Sequence, residues 1–409
     1  MTLALENLFV LDFTQIMAGP IATRHLSLLG ADVIKVEAPG KGDVMRPMMA
    51  QGAAAEHGYS PLHQYLNPGK RGLGLDLKTP AGREIATALA RKADVIVENF
   101  RPGVMARLAL DAKTARKENP SVVYCSISGY GQQGPKAGLA AYDGPLQADS
   151  GLMSVNGFPD GPPTRLGVMA IDMLVGSNAA AAIMSALLRR AETGEGQAID
   201  ISMFETALHL MAPQVLASEN DGPTPVRNGN NTAARLSTDD LFPTGDGDIL
   251  ITAINDIQVG NLFETLGLST LSGDERAASP EARAENADFV QAELIGALSR
   301  STAADWETKL RHAGVPCARV RDVAEVLDDP QIDANALLSE TNGIPALGIP
   351  PSTVLAAGYR TDTDGPEIRT APLLGEHTAE ILGELGYSAD QIEELRKAGV
   401  IPPATPDRG

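Results

Sequence analysis

An open α/β sheet with helices on both faces, followed by a smaller α+β unit, is the fold class this sequence predicts. Three observations carry it. A strand–helix–strand pattern, the parallel crossover unit, opens the chain and recurs. The 409 residues are too many for one ordinary core, so two domains are expected. The texture changes over residues 219–247, which are rich in Gly, Pro, Asn, Asp and Thr and read as a linker and long loop.

Leu8–Asp12 is a short apolar run, followed by a Gly-Pro turn and a helical stretch from Ile21 to Leu29 that Gly30 ends. Asp32–Val36 (DVIKV) reads as the next strand. Thr79 and Pro80 form an N-cap and first-turn pair that opens a helix to Lys92, and Val95–Val97 follows as a strand. Val122–Ile127 is another buried-strand candidate. A short strand, Ile199–Ser202, precedes a helix from Phe204 to about Leu216. Beyond the long loop, Ile249–Ile254 reads as a strand, with helical patterns near 257–267, 283–299 and 303–313. Residues 341–372 are a Pro/Gly-rich connection, and two helices close the chain near 376–385 and 389–398.

Composition narrows the function. The longest apolar candidate, Ile171 to Leu188, carries Asp172, Ser177, Asn178 and Ser185, and reads as a buried core helix rather than a membrane span. Glu6 stands before any basic region at the N-terminus, so no signal peptide is expected. Cys125 and Cys317 have no metal spacing and suggest no disulfide framework, which fits a cytoplasmic protein. The formal charge of −19 argues against nucleic acid and anionic membranes as partners. That charge is uneven. Residues 1–140 hold 16 Lys+Arg against 12 Asp+Glu, and the remainder 17 against 40. A polyanionic small molecule would therefore sit on the first 140 residues, unless acidic helices simply solubilise the rest.

Few motifs survive inspection. Gly129-Tyr-Gly131-Gln-Gln-Gly134 fits the dinucleotide pattern, but Pro135 and Gly138 follow where a helix must open onto the pyrophosphate. There is no P-loop, no His-Glu-x-x-His and no G-x-S-x-G, and the six scattered histidines give metal catalysis no support. Asp172 stands at the start of the long helix, where free N–H groups and the dipole stabilise negative charge. A plain helix cap is the simple reading. The small residues around it (Gly167, Gly176, Ser177, Ala179 to Ala182) leave room for a ligand, and the dipole would keep the carboxylate ionised as a nucleophile. Tyr142 and Asp143 sit in a polar A-Y-D-G-P segment that also reads as a turn. Asn99-Phe100-Arg101-Pro102-Gly103 follows a strand, where ligands lie in open α/β sheets. Its Arg is either a phosphate contact or an exposed solubilising residue.

Five segments in order resemble the family III CoA transferases, which include formyl-CoA transferase, carnitine CoA-transferase and α-methylacyl-CoA racemase. They are VLDFTQIMAGP (10–20), LGADVIKVE (29–37), LDLKTPAG (75–82), ADVIVENFRPG (93–103) and APLLGEHT (371–378). The resemblance covers nearly the whole chain. It implies a Rossmann-like large domain built from both chain ends, a smaller domain between, and two chains interlocked as a homodimer. The expected division is 1–218 for the first part of the large CoA-binding domain, 219–247 for the loop, 248–330 for the small domain, 331–375 for a return linker and 376–409 for helices rejoining the large domain. CoA is implied as substrate, with no resident cofactor and no metal. The positions that match its contacts are Gln15, Met17 and Ala18, Leu75 to Lys78, Asn99, Phe100 and Arg101, Arg107, and Ala141 to Asp143. Asp172 matches the aspartate that forms the covalent acyl-enzyme, with Tyr142 and Asp143 in support.

Two departures stand out. Ala38 occupies the place of an Arg that follows the I-K-x-E segment in formyl-CoA transferase, with Lys41 and Arg46 as candidate substitutes. The glycine-run lid of that enzyme has no clear match in 225–245, which disfavours oxalate and formyl-CoA as substrates. The expected activity is transfer of CoA from an acyl-CoA donor to a free carboxylic acid. One alternative is an α-methylacyl-CoA racemase, whose second base is a His where this chain has Tyr142, a poor base near neutral pH. Another is an acyl-CoA-binding protein without turnover.

Overall fold

Six parallel strands form the central sheet: β1 (Phe9–Asp12), β2 (Asp32–Glu37), β3 (Arg71–Gly74), β4 (Val95–Glu98), β5 (Val123–Ser128) and β6 (Ala198–Ser202). Their order is β3-β2-β1-β4-β5-β6. This is the Rossmann-like order, in which the chain starts at the centre and winds outward both ways. The computed structural model describes residues 3–231, 236–363, 365–405 and 408.

Successive strand residues face opposite layers, as a pleat with period two requires. Val10, Val33, Val95 and Val97 enter one apolar cluster, with helix α1 (Ala18–Leu28) and a long helix at Ala170–Thr193. Leu11, Ile34, Ile96 and Tyr124 enter the other, with helix α2 (Pro80–Lys92) and the two C-terminal helices Thr378–Glu384 and Ala389–Lys397. Thr79 caps α2 by accepting from Gly82 N–H, with Pro80 in the first turn.

β3 is absent from the sequence reading. Gly72 and Gly74 break any strand pattern there, and both are needed for close approach. A Cβ on Gly72 would lie 2.8 Å from the Leu373 carbonyl, and one on Gly74 2.5 Å from Pro402. The C-terminal segment crosses the strand at this bare stretch.

The chain folds into two compact units, one formed by residues 1–152, 166–215 and 331–409, the other by 153–165 and 216–330. The 1–218 span is thus interrupted at 153–165. In the second unit β7 (Asp239–Pro243), β8 (Asp248–Thr252) and β9 (Cys317–Arg319) form an antiparallel sheet around Phe242, Ile249, Ile251 and Phe263. Residues 219–247 are therefore not all loop. The segment D-D-L-F-P has turn-like composition and becomes a strand by pairing with β8. Likewise 331–375 is not a bare linker, since β10 (Leu338–Thr341) pairs antiparallel with β11 (Ser352–Leu355). The helix expected from Phe204 to Leu216 divides into Met203–Leu210 and Ala212–Glu219.

Candidate active site

The switch point of the sheet lies between β1 and β4, where the winding direction reverses and a crevice opens beyond the strand ends. The segments that leave these two strands are Phe13–Met17 and Asn99–Arg101, and the fold joins them directly. Asn99 Oδ1 accepts from Gln15 N–H at 2.8 Å, and its Nδ2 donates to the Gln15 carbonyl at 2.7 Å. Ile16 then adopts a left-handed conformation, with φ 70°. That is strained for a β-branched residue, by roughly 1–3 kcal/mol, and is held only where its surroundings over-determine it. The turn delivers Met17 and Ala18 to the start of α1.

A cleft of ≈ 240 Å³ opens at this point. Met17, Ala18, Asn99, Phe100 and Arg101 line it together with Ser128, Gly129, Tyr142, Met203 and Asp172. The cleft is open to the surface, with room for the thioester end of a ligand. The loop 129–141 contains no helix, which removes the dinucleotide reading. Its Lys136 pairs with Asp149 at 2.7 Å and lies over the Tyr130 and Phe204 rings, which fastens the loop to the wall.

Asp172 occupies the first turn of helix α3 (Ala170–Thr193). It is not the cap of that helix. Asp143 is: its Oδ2 accepts from Ile171 N–H at 2.9 Å and from Asp172 N–H at 3.3 Å. Asp143 Oδ1 accepts from Gln147 Nε2 at 2.6 Å, and Gln147 Oε1 accepts from Leu166 N–H at 2.8 Å. One carboxylate thus satisfies the helix start and, through Gln147, fixes the segment entering it. The Asp172 carboxylate is left free of capping duty while buried, at 8% exposure.

The electrostatic expectation is overturned here. Burial and the neighbouring Asp143 charge raise the Asp172 carboxyl from its ordinary 3.8 to about 7, against a smaller pull from a backbone hydrogen bond with Ala18. The dipole argument assumed unoccupied N–H groups, and Asp143 occupies them. The small residues of α3 also have a different purpose. Gly176, Ala179 and Ala180 are buried, and a Cβ on Gly176 would lie 2.4 Å from Ile21 and 2.9 Å from the Ala18 carbonyl. They let α1 pack close, which brings Ala18 to Asp172.

Among the expected contacts, Met17, Ala18, Asn99, Phe100, Arg101, Tyr142 and Asp172 meet in the cleft. Gln15 adjoins it as the residue Asn99 clamps. Leu75, Lys78 and Arg107 do not line it. The Leu75 side chain is in the core at 1% exposure, which removes it as a side-chain contact. Lys78, Arg101 and Arg107 are exposed, and none of the three forms an ion pair among the described residues. Arg46 does not replace the Arg missing at Ala38. It is 2% exposed and grips Glu37 at two points, Nε–Oε1 2.8 Å and Nη2–Oε2 2.6 Å. Of the two substitutes Lys41 remains, and it is exposed. Arg24, Lys35 and Lys70 are buried too, so much of the N-terminal positive charge is internal. Asp12, Glu37 and Asp43 are buried with these cations, and the surface excess survives.

Sequence reasoning missed Ser128, whose buried hydroxyl at the end of β5 has no hydrogen-bond partner and lies in the cleft lining. It missed Gln147 and Asp43 as well. The one available signal was Lys35 and Glu37 among the buried apolar residues of β2, since charges in a buried strand require partners.

A sheet wound outward from its switch point, with a buried carboxylate in the crevice beyond the strand ends, defines a Rossmann-like α/β enzyme. This chain belongs to the family described as CoA-transferase family III, whose match spans residues 5–378. It is 38% identical to the acetyl-CoA:oxalate CoA-transferase of Acetobacter aceti over 384 residues, covering 93% of this chain and 95% of the relative. It is 34% identical to the succinate–glutarate CoA-transferase of Agrobacterium fabrum over 389 residues, with coverage of 93% and 95%. A CAIB/BAIF family protein from Brucella suis superposes with a TM-score of 0.82 at 32% identity, covering 94% of this chain and all of that one.

Proposed function

We propose that this protein transfers CoA from an acyl-CoA donor to a free carboxylic acid through covalent intermediates on Asp172. The observation that carries the reading is the Asp172 carboxylate itself: buried, relieved of capping by Asp143, and facing a cleft sized for a thioester. A carboxyl raised to about 7 is substantially ionised at neutral pH and more nucleophilic than an ordinary aspartate.

An Asp172 oxygen attacks the thioester carbonyl carbon. The C–S bond breaks, CoA leaves as thiolate, and the acyl group is held as a mixed anhydride. The thiolate then attacks the aspartyl carbonyl, which frees the donor acid and leaves an aspartyl thioester. An acceptor carboxylate attacks that thioester and releases thiolate. The thiolate takes the acceptor acyl group as its CoA thioester and restores Asp172. Anhydride and thioester are both activated acyl groups, so no step is far uphill. Each attack places negative charge on a carbonyl oxygen, which donors at the α1 start and the Ser128 hydroxyl are placed to receive. Water must be excluded, or the anhydride hydrolyses.

The named relatives act on oxalate, succinate and glutarate, which removes the ground for disfavouring oxalate and makes small dicarboxylates the first acceptors to test. A homodimer is supported by the outer face of α3. Met173, Ser177, Ala181, Ser185 and Leu188 run along it exposed and without a charge. The return of residues 331–409 to the first unit suits interlocked chains. Two unpaired cysteines suit the cytoplasm.

The test is purified protein with succinyl-CoA or acetyl-CoA, with and without oxalate or glutarate. Transfer to the acid is expected, and Asp172→Ala is expected to fall below about a thousandth of it. Binding of CoA thioesters without transfer to any acid in the panel would favour the non-catalytic reading instead. An Asp172→Ala protein with near-normal turnover would refute the mechanism.

A further inference from the structure

The turn that aims Ala18 at Asp172 is held from behind by charged groups that never reach the cleft. Asp43 is 1% exposed and lies outside the cleft lining. Both its carboxylate oxygens accept from the Ile16 N–H, at 3.2 and 3.1 Å. Its Oδ2 also accepts from Lys35 Nζ at 3.1 Å, and the same ammonium donates to the Thr14 carbonyl at 2.8 Å. Asp43 is itself fixed by Met45 N–H at 3.0 Å, and its own N–H donates to Glu37 Oε1 at 2.9 Å. Behind this pair Lys70 joins Asp12 at 3.0 Å, and Asp12 accepts from Thr14 N–H at 2.8 Å. With the Asn99 clamp on Gln15, residues 14, 15 and 16 are each gripped in turn. Ile16, the residue in the left-handed conformation, is gripped by Asp43 alone among these groups.

We propose that Asp43, braced by Lys35, is a positioning residue for the reaction: it holds the strained Ile16 turn so that the start of α1 meets the Asp172 carboxylate. Without the Asp43 carboxylate, Ile16 relaxes toward an ordinary backbone region. The relaxation turns the Met17–Ala18 peptide away, and the Ala18 hydrogen bond to Asp172 is lost or lengthened. The buried salt bridge is thereby a device for geometry rather than for stability, consistent with how little net stability such pairs supply.

This inference rests on the nucleophilic role of Asp172, so the experiment carries Asp172→Ala alongside. Asp43→Asn keeps the size of the side chain and removes its charge. Its kcat for transfer is expected to fall on the order of 10²-fold, since small misplacements at a reacting centre cost that much. The KM for acyl-CoA should change far less. A merely structural role would stop there. Positioning predicts two more effects. The Ala18 bond favours the charged Asp172, so its loss should move the acid limb of kcat/KM to higher pH. Asp143 is the neighbouring charge that raises Asp172, and the substitution leaves it in place. In addition, Ile16→Gly in the Asp43→Asn background should restore at least about ten-fold of the lost kcat, because glycine adopts the left-handed turn unaided. If Asp43→Asn alone does not fold, the double variant is compared with wild type, and activity within about ten-fold supports the proposal. A wild-type kcat in Asp43→Asn overturns it. So does a loss with no movement of the acid limb and no rescue by glycine. If Asp172→Ala remains active, the functional reading has failed and not this inference alone.

Discussion

Replacing Asp172 should stabilise the protein, and by an amount that depends on pH. Asp172 is 8% exposed, and its carboxyl is raised from 3.8 to about 7 by burial first and Asp143 second. A carboxyl raised on folding destabilises the native state in its charged form. Below pH 4 both states hold the proton, and little is lost. Between 4 and 7 the unfolded chain ionises while the folded one does not, so this group's contribution falls as pH rises. Above 7 the loss is constant at roughly 4 kcal/mol, from 1.36 kcal/mol per pH unit. At pH 5.5 the same arithmetic gives roughly 2 kcal/mol. Asp172→Asn keeps the shape and removes the charge. Its Tm should therefore exceed that of wild type by several degrees at pH 8 and by about half as much at pH 5.5. Thermal unfolding followed by circular dichroism at both pH values measures this. Equal Tm gains at the two pH values, or no gain at pH 8, would refute the claim that the fold holds this carboxylate against its preference.

Three further outcomes follow from the site. Asp143→Asn removes the neighbouring charge, so the acid limb of kcat/KM should move to lower pH; weaker capping of α3 should cost about 1–3 kcal/mol in denaturant titration. Arg101→Ala, Arg107→Ala and Lys78→Ala should each raise KM for all CoA thioesters alike, more at low salt than high, and a set of unchanged constants at low salt would move the CoA phosphates elsewhere. Incubation of a 2-methylacyl-CoA in deuterated water should leave the α-carbon unlabelled, because no histidine lines the cleft to act as a second base among the described residues; deuterium entering at a rate comparable to transfer would establish racemisation.

What could be read from the sequence depended on how local the cause was. β1, α1 and β2 announce themselves because apolar strands buried on both faces flank a helix that glycine ends. β3 did not, since its glycines serve a segment some 300 residues away, where Leu373 and Pro402 cross it. Asp172 was legible by its place at a helix start and by resemblance to a family. Its acidity was not, because burial by the fold raises it first, and the Asp143 charge that adds to this sits 29 residues earlier on a helix of its own (Asp143–Asp149). Asn99 was legible as a residue at a strand end and misread in kind: its amide is spent on the Gln15 backbone as well as lining the cleft. Asp43 lies in a loop with no periodicity, and only Lys35 and Glu37, the two buried charges of β2, hinted that something buried must answer them.

The division of labour between Asp143 and Asp172 bears on how such an enzyme can change over generations. Had Asp172 capped its own helix, its carboxylate would have been tied to backbone N–H groups and withheld from the cleft. Here the cap and the tuning charge belong to Asp143, and the proposed nucleophile is a different side chain in a separate segment. A lineage can exchange the residues around Asp143 and Gln147 and so drift toward donors of different reactivity, while Asp172 stays where it is.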